Sequence, residues 1–113
     1  MKKYILIAAA IAATTLGAGA AVAGDATKGG QTFREKGCWQ CHGFEGQGGS
    51  AGPRLANTQL PEDALIAFVH NSNGPMPPFS EKLVSDAQLS DVYAYLQSRQ
   101  KPADPKTIPL LQP

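Results

Sequence analysis

The stretch that most limits what this chain can fold into is Gly37-Cys38-Trp39-Gln40-Cys41-His42. Its two cysteines are the only two among 113 residues, and an imidazole follows the second one directly. A chain this short buries a modest core and usually needs a staple: disulfides, a metal or a bound cofactor. A bridge between Cys38 and Cys41 would close too short a loop to restrict the unfolded chain by much. The thiols and the imidazole therefore point to something they hold in common.

The start of the chain says where it goes. Lys2 and Lys3 are basic, Tyr4 to Leu16 carries no charge, and small residues run to Ala21-Val22-Ala23. This is the three-part pattern of a cleaved secretory signal. Residues 1–23 are read as that signal, with Ala18-Gly19-Ala20 as a second cut site and an uncleaved anchor as the competing reading. The apolar run is shorter than the ~20 residues a membrane span needs. Cleavage removes Lys2 and Lys3 and turns the formal +1 of the whole chain into −1. No basic patch remains to suggest nucleic acid, and no charge run suggests a membrane surface. The expectation is a periplasmic protein without a membrane span after cleavage.

The remainder reads as one small domain, residues 24–100, and a proline-rich tail, residues 101–113. A first helix is predicted from about Ala26 to Lys36, with Asp25 as N-cap and Gly37 as stop. Gly29 lies inside it on the face of Phe33, which points to close approach of another backbone. Residues 43–58 hold five glycines and a proline, too many for regular structure, and are read as a loop that wraps something. Pro61 opens a second helix, with Glu62 and Asp63 at its positive end, and Asn71-Ser72-Asn73-Gly74 ends it. Pro75 to Phe79 is a stiff segment. A third helix starts at a Ser85/Gln88 capping box and runs to about Arg99, with Leu89, Val92, Tyr93 and Leu96 on one face. The tail is expected to be an extended strap or loose. No strand pattern is present, so the fold class is all-α: three main helices and glycine- and proline-rich loops wrapped around one group.

C-x-x-C-H admits three readings. Haem can be attached covalently through both thiols, with His42 as axial ligand. A thiol–disulfide exchange pair would instead open a helix that follows a strand, whereas this motif closes a helix. A structural zinc site needs four ligands, and only Cys38, Cys41, His42 and His70 are on hand at no zinc-finger spacing. The haem reading makes a further demand, a sixth iron ligand. Cleavage leaves one methionine, Met76, in a proline-held loop where a gap-filling role is poorly served. A histidine–methionine pair favours reduced iron and raises its potential. His70, at the end of the second helix, is read as a helix-end residue and as the reserve ligand.

With these residues in place, the chain resembles the class I c-type cytochromes. Gly37 to His42 resembles the haem-attachment motif, Ala51 to Leu55 the segment after it, Gly74 to Phe79 the distal methionine loop, and Asp91 to Leu96 the C-terminal helix. The resemblance implies a cytochrome c fold around one haem c, with thioether bonds at Cys38 and Cys41. It implies iron ligation by His42 and Met76, a Pro53 carbonyl that accepts the His42 Nδ1–H, and Leu55 among the cofactor-contacting residues. It also implies that Gly29 and Phe33 meet Tyr93, Val92 and Leu96 where the first and last helices cross.

The expected function is single-electron transfer between redox partners, such as a periplasmic dehydrogenase or a terminal oxidase. No acid/base pair or activated nucleophile is present, so no enzyme activity is expected. A dedicated cytochrome subunit of a periplasmic dehydrogenase is the second reading, favoured by Ile108, Leu110 and Leu111 in the tail. A haem-based ligand sensor is the third, and it requires Met76 to be unbound. Trp39 is read either as packed on the haem or as exposed near its edge, where it would form an apolar patch with Pro77, Pro78 and Phe79.

Overall fold

The computed structural model describes residues 23–101 and 103–112. Apart from Ala23, the expected secretory signal lies outside the described residues. Among those residues there is no strand, and four α-helices form: α1 (Ala26–Glu35), α2 (Trp39–His42), α3 (Glu62–Asn71) and α4 (Asp86–Gln97).

Helix boundaries follow local chemistry. The Asp25 carboxylate accepts from the amides of Thr27 and Lys28, which have no partner within α1. Gly37, at φ 75°, ends the helix because a right-handed helix cannot continue through a positive φ. In α3, Glu62 and Asp63 occupy the first turn, where the macrodipole favours negative charge. In α4 the Ser85 side chain accepts from the Gln88 amide while the Gln88 side chain accepts from the Ser85 amide.

α4 packs across α1 and also touches α3. The crossing with α1 is backbone on backbone: a β-carbon on Gly29 would overlap the Asp91 carbonyl. That close approach explains a glycine inside a helix, where it costs about 1 kcal/mol relative to alanine. Around the crossing sit Phe33, Leu65, Val92, Tyr95 and Leu96, all buried. Full burial of side chains such as Phe33 and Leu96 stabilises the fold by roughly 2 kcal/mol each.

The aromatic partner of Phe33 is Tyr95, not Tyr93. The two rings lie 5.6 Å apart and 42° from parallel, a favourable tilted contact. The Tyr93 hydroxyl instead donates to the Leu60 carbonyl at 3.0 Å. The reason is that α4 has neighbours on two sides, so its buried surface is wider than a single stripe and takes in Tyr95.

The glycine-rich loop returns to α4 through Asn57, which adopts a left-handed φ of 55°. Its amide donates to the Leu96 carbonyl, and its side-chain amide to those of Gln97 and Arg99. The carbonyls of Leu96 and Gln97 at the end of α4, and of Arg99 just beyond it, gain partners in this way. The tail is exposed and turned rather than extended. Pro105–Thr107 and Pro109–Leu111 form single 3-10 turns, the first capped by Asp104. A proline at the first position sets φ for such a turn.

Candidate functional site

Because Gly37 breaks the chain direction, the motif does not close α1 but forms its own one-turn helix, α2. Cys38, Cys41 and His42 from this turn line an apolar groove of about 630 Å³. Pro53 and Leu55 from the glycine-rich loop line it too, as does Met76 from the loop after α3. The helices add Phe33, Leu65, Val69 and Leu96 to the wall. All six residues singled out from the sequence thus face one cavity.

His42 is buried at 7 % exposure, and its Nδ1 donates to the Pro53 carbonyl at 2.8 Å. A carbonyl only accepts, so this bond puts the proton on Nδ1 and leaves the Nε2 lone pair available to a metal. Gly52 makes the arrangement possible: a β-carbon there would press within 3.0 Å of the Cys41 carbonyl and the His42 ring. The sequence reading missed Gly52, although a glycine directly before Pro53 was the available signal.

The two other readings of the motif do not fit this geometry. Burial pushes the Cys38 thiol up, against a smaller backbone hydrogen bond that lowers it, whereas an exchange cysteine needs a lowered value. Among the described residues no three His, Cys, Asp or Glu side chains gather as a zinc site would require.

After α3, Met76 is half-buried and its carbonyl accepts from the buried Ser72 hydroxyl at 2.7 Å. Ser72 gave no sequence signal beyond its place in a helix-ending run. His70 does not serve as a reserve ligand. Its Nδ1 bonds the Phe79 carbonyl at 2.5 Å and its Nε2 bonds Asp86 Oδ1 at 2.9 Å. Both ring nitrogens are therefore committed. The Phe79 carbonyl is the largest influence and raises the His70 pKa above its ordinary value. Hydrogen bonding and charge from Asp86, with the charge of Glu81, act in the same direction, and burial opposes them.

The expected patch of Trp39 with Pro77, Pro78 and Phe79 is only partly formed. Pro77 and Phe79 line the groove. Trp39 instead packs against the core and stacks on Phe44, with centroids 4.4 Å apart and planes 11° from parallel. Its ring is used by a neighbour in sequence, which leaves Phe44 as the exposed member of the pair at 58 %.

An apolar groove flanked by two thiols, with an imidazole tautomer fixed for ligation, fits a covalently attached haem. Residues 24–96 match the family model described as cytochrome c oxidase, cbb3-type, subunit III. Cytochrome c-555 of Methylococcus capsulatus is 32 % identical, over 87 % of this chain and 86 % of that protein. The cytochrome c subunit of menaquinol:cytochrome c reductase from Bacillus subtilis is 35 % identical over 58 % of this chain, but over only 26 % of its own length. No solved structure matches the chain. The chain belongs to the c-type cytochromes, in the family that this domain model describes. It has a cytochrome c fold, carries haem c through its cysteine pair and functions in electron transfer. No helix among the described residues is long and apolar enough to cross a membrane.

Proposed function

We propose that the protein is an exported, periplasmic carrier of single electrons rather than a catalyst. Cys38 and Cys41 would each hold the haem by a thioether bond, and His42 Nε2 and the Met76 thioether would ligate its iron. When bound, the haem supplies a one-electron iron couple, and a histidine–methionine ligand set raises its potential. The residues of the chain orient, shield and position. The Pro53 carbonyl holds the proton on His42 Nδ1 and fixes the ring. Leu55, Leu65, Val69 and Leu96 give the groove an apolar lining, and a dry surrounding tunes the potential. With His42 and Met76 both holding the iron, no position on it would be left for a substrate.

The observation that carries this reading is the 2.8 Å bond from His42 to Pro53, in a groove shared with both cysteines and Met76. Purified protein, denatured and extracted with acidified acetone, should keep its colour and show the added mass of one haem. Transfer of colour into the solvent would remove the covalent attachment from the proposal.

A second reading makes the chain a dedicated cytochrome subunit of a periplasmic dehydrogenase or a terminal oxidase. Leu110, at 94 % exposure, and Leu111 in the tail favour it. Elution of the native protein alone, rather than with an oxidoreductase, decides between the two. Imidazole or carbon monoxide binding to the wild-type iron without displacement of Met76 would point to a ligand sensor instead.

A further inference from the structure

The last turn of α3 and its C-cap, Ser72, grip the Met76 loop in three places. Phe79 N donates to the Val69 carbonyl at 2.9 Å, His70 Nδ1 to the Phe79 carbonyl at 2.5 Å, and Ser72 Oγ to the Met76 carbonyl at 2.7 Å. Between Ser72 and Val84 the chain has only turns and bends, so these contacts set the course of the loop. His70 reaches further than the other two. Its Nε2 also donates to Asp86 Oδ1 at 2.9 Å, on the first residue of α4.

Phe79's carbonyl and Asp86's carboxylate both accept, so satisfying both requires two N–H groups, that is, the cationic ring. The charges that face it agree: Asp86 from α4, Glu81 from the Met76 loop, and the negative C-terminal end of α3 itself. The His70 side chain is only 12 % exposed while Asp86 is 67 % exposed, so water competes little for the bond to Phe79 and more for the bond to Asp86.

We propose that His70 is a positioning residue for Met76. Its doubly protonated ring ties the Met76 loop to both α3 and α4, and removing the ring or its charge loosens the bond between Met76 and iron. This rests on the reading of Met76 as an iron ligand. The sign of the pH dependence follows from the direction of the shift. The folded protein holds this proton more tightly than a free imidazole does. The tie is therefore complete below the ordinary value of about 6.5, and it is lost as pH rises through the higher folded value.

The test is titration of the oxidised holoprotein with imidazole, which competes with Met76 for the iron. Affinity is expressed per neutral imidazole, and the far-red band of an iron–thioether bond is followed alongside it. At about pH 6, below that ordinary value, His70→Ala should bind imidazole about tenfold tighter than wild type, as expected for losing hydrogen bonds to a charged group. Wild-type affinity should rise by a similar factor as pH passes through the ring titration, followed independently by nitrogen NMR, while the variant stays flat. Asp86→Asn keeps the Phe79 contact and should give a smaller gain, and it serves as the reading if His70→Ala does not fold. Equal affinity in wild type and variants, an identical pH slope in His70→Ala, or a neutral ring at pH 6 would overturn the role of His70. A wild-type protein without the far-red band would overturn the Met76 assignment itself.

Discussion

The two segments that face the groove are secured by different means. On the Cys38 to His42 side, three functional residues share one helical turn, and the imidazole is aimed by a backbone carbonyl that Gly52 lets come close. That carbonyl is neutral and carries no ionisable group. On the Met76 side the loop has no regular structure, and its course depends on a backbone bond to Val69 and on the side chains of His70 and Ser72 at the end of α3, the first an ionisable imidazole tied onward to α4. One side is thus aimed by a backbone carbonyl, the other held by one backbone bond and two side chains. The second kind is easier to loosen, and easier to tune by pH.

The largest effect that bears on this contrast belongs to Met76→Ala. It should abolish the far-red band and lower the potential by on the order of hundreds of millivolts, within the roughly 0.8 V that axial ligands span across haem proteins. An unchanged spectrum would mean that this loop is not a ligand loop at all.

Gly29→Val strikes the α1–α4 crossing that supports both sides. Its side chain would meet the Asp91 carbonyl, and overpacking of this kind costs about 2–3 kcal/mol. Denaturant unfolding should show that loss, while the potential of the folded fraction stays at its wild-type value. A shifted potential would tie the crossing to the site more directly than the packing indicates.

Ser72→Ala sharpens the comparison on the Met76 half. Losing the bond to the Met76 carbonyl should cost about 1 kcal/mol, read as roughly fivefold tighter imidazole binding that does not vary with pH. Pro53→Ala probes the His42 half. The carbonyl is kept and only the unfolded chain gains freedom, so stability should fall by about 0.4–1 kcal/mol with little change in the spectrum. If Pro53→Ala disturbs the iron more than Ser72→Ala does, the contrast between the two halves is wrong.

Features encoded within a few residues could be read directly. The Asp25 cap, the Ser85/Gln88 box and the stop at Gly37 each join groups no more than three positions apart or depend on a single φ, and each lies where expected. The motif carried its chemistry in the same way. Tyr95 was less legible, since periodicity describes a helix with one buried stripe and α4 has two neighbours. Trp39 could be packed or exposed as far as its neighbours in sequence tell, and its place is set by packing against the core and stacking on Phe44. In the tail, the prolines told of stiffness but not of direction, and they start tight turns rather than an extended strap.

By itself, then, the sequence determined the composition of the site: two thiols and an imidazole in one turn, a single methionine besides Met1, and the limits of the helices that carry them. Short-range hydrogen bonds and backbone torsions suffice for that, because their partners are adjacent in the chain. Only the tertiary structure decided which face of α4 is buried, that Gly52 brings the Pro53 carbonyl to His42, and that both ring nitrogens of His70 are taken by Phe79 and Asp86. Those outcomes depend on partners such as Phe79 and Asp86 for His70, or Gln97 and Arg99 for Asn57. These partners become neighbours only when the helices pack, and it is packing that excludes water and makes each such bond matter.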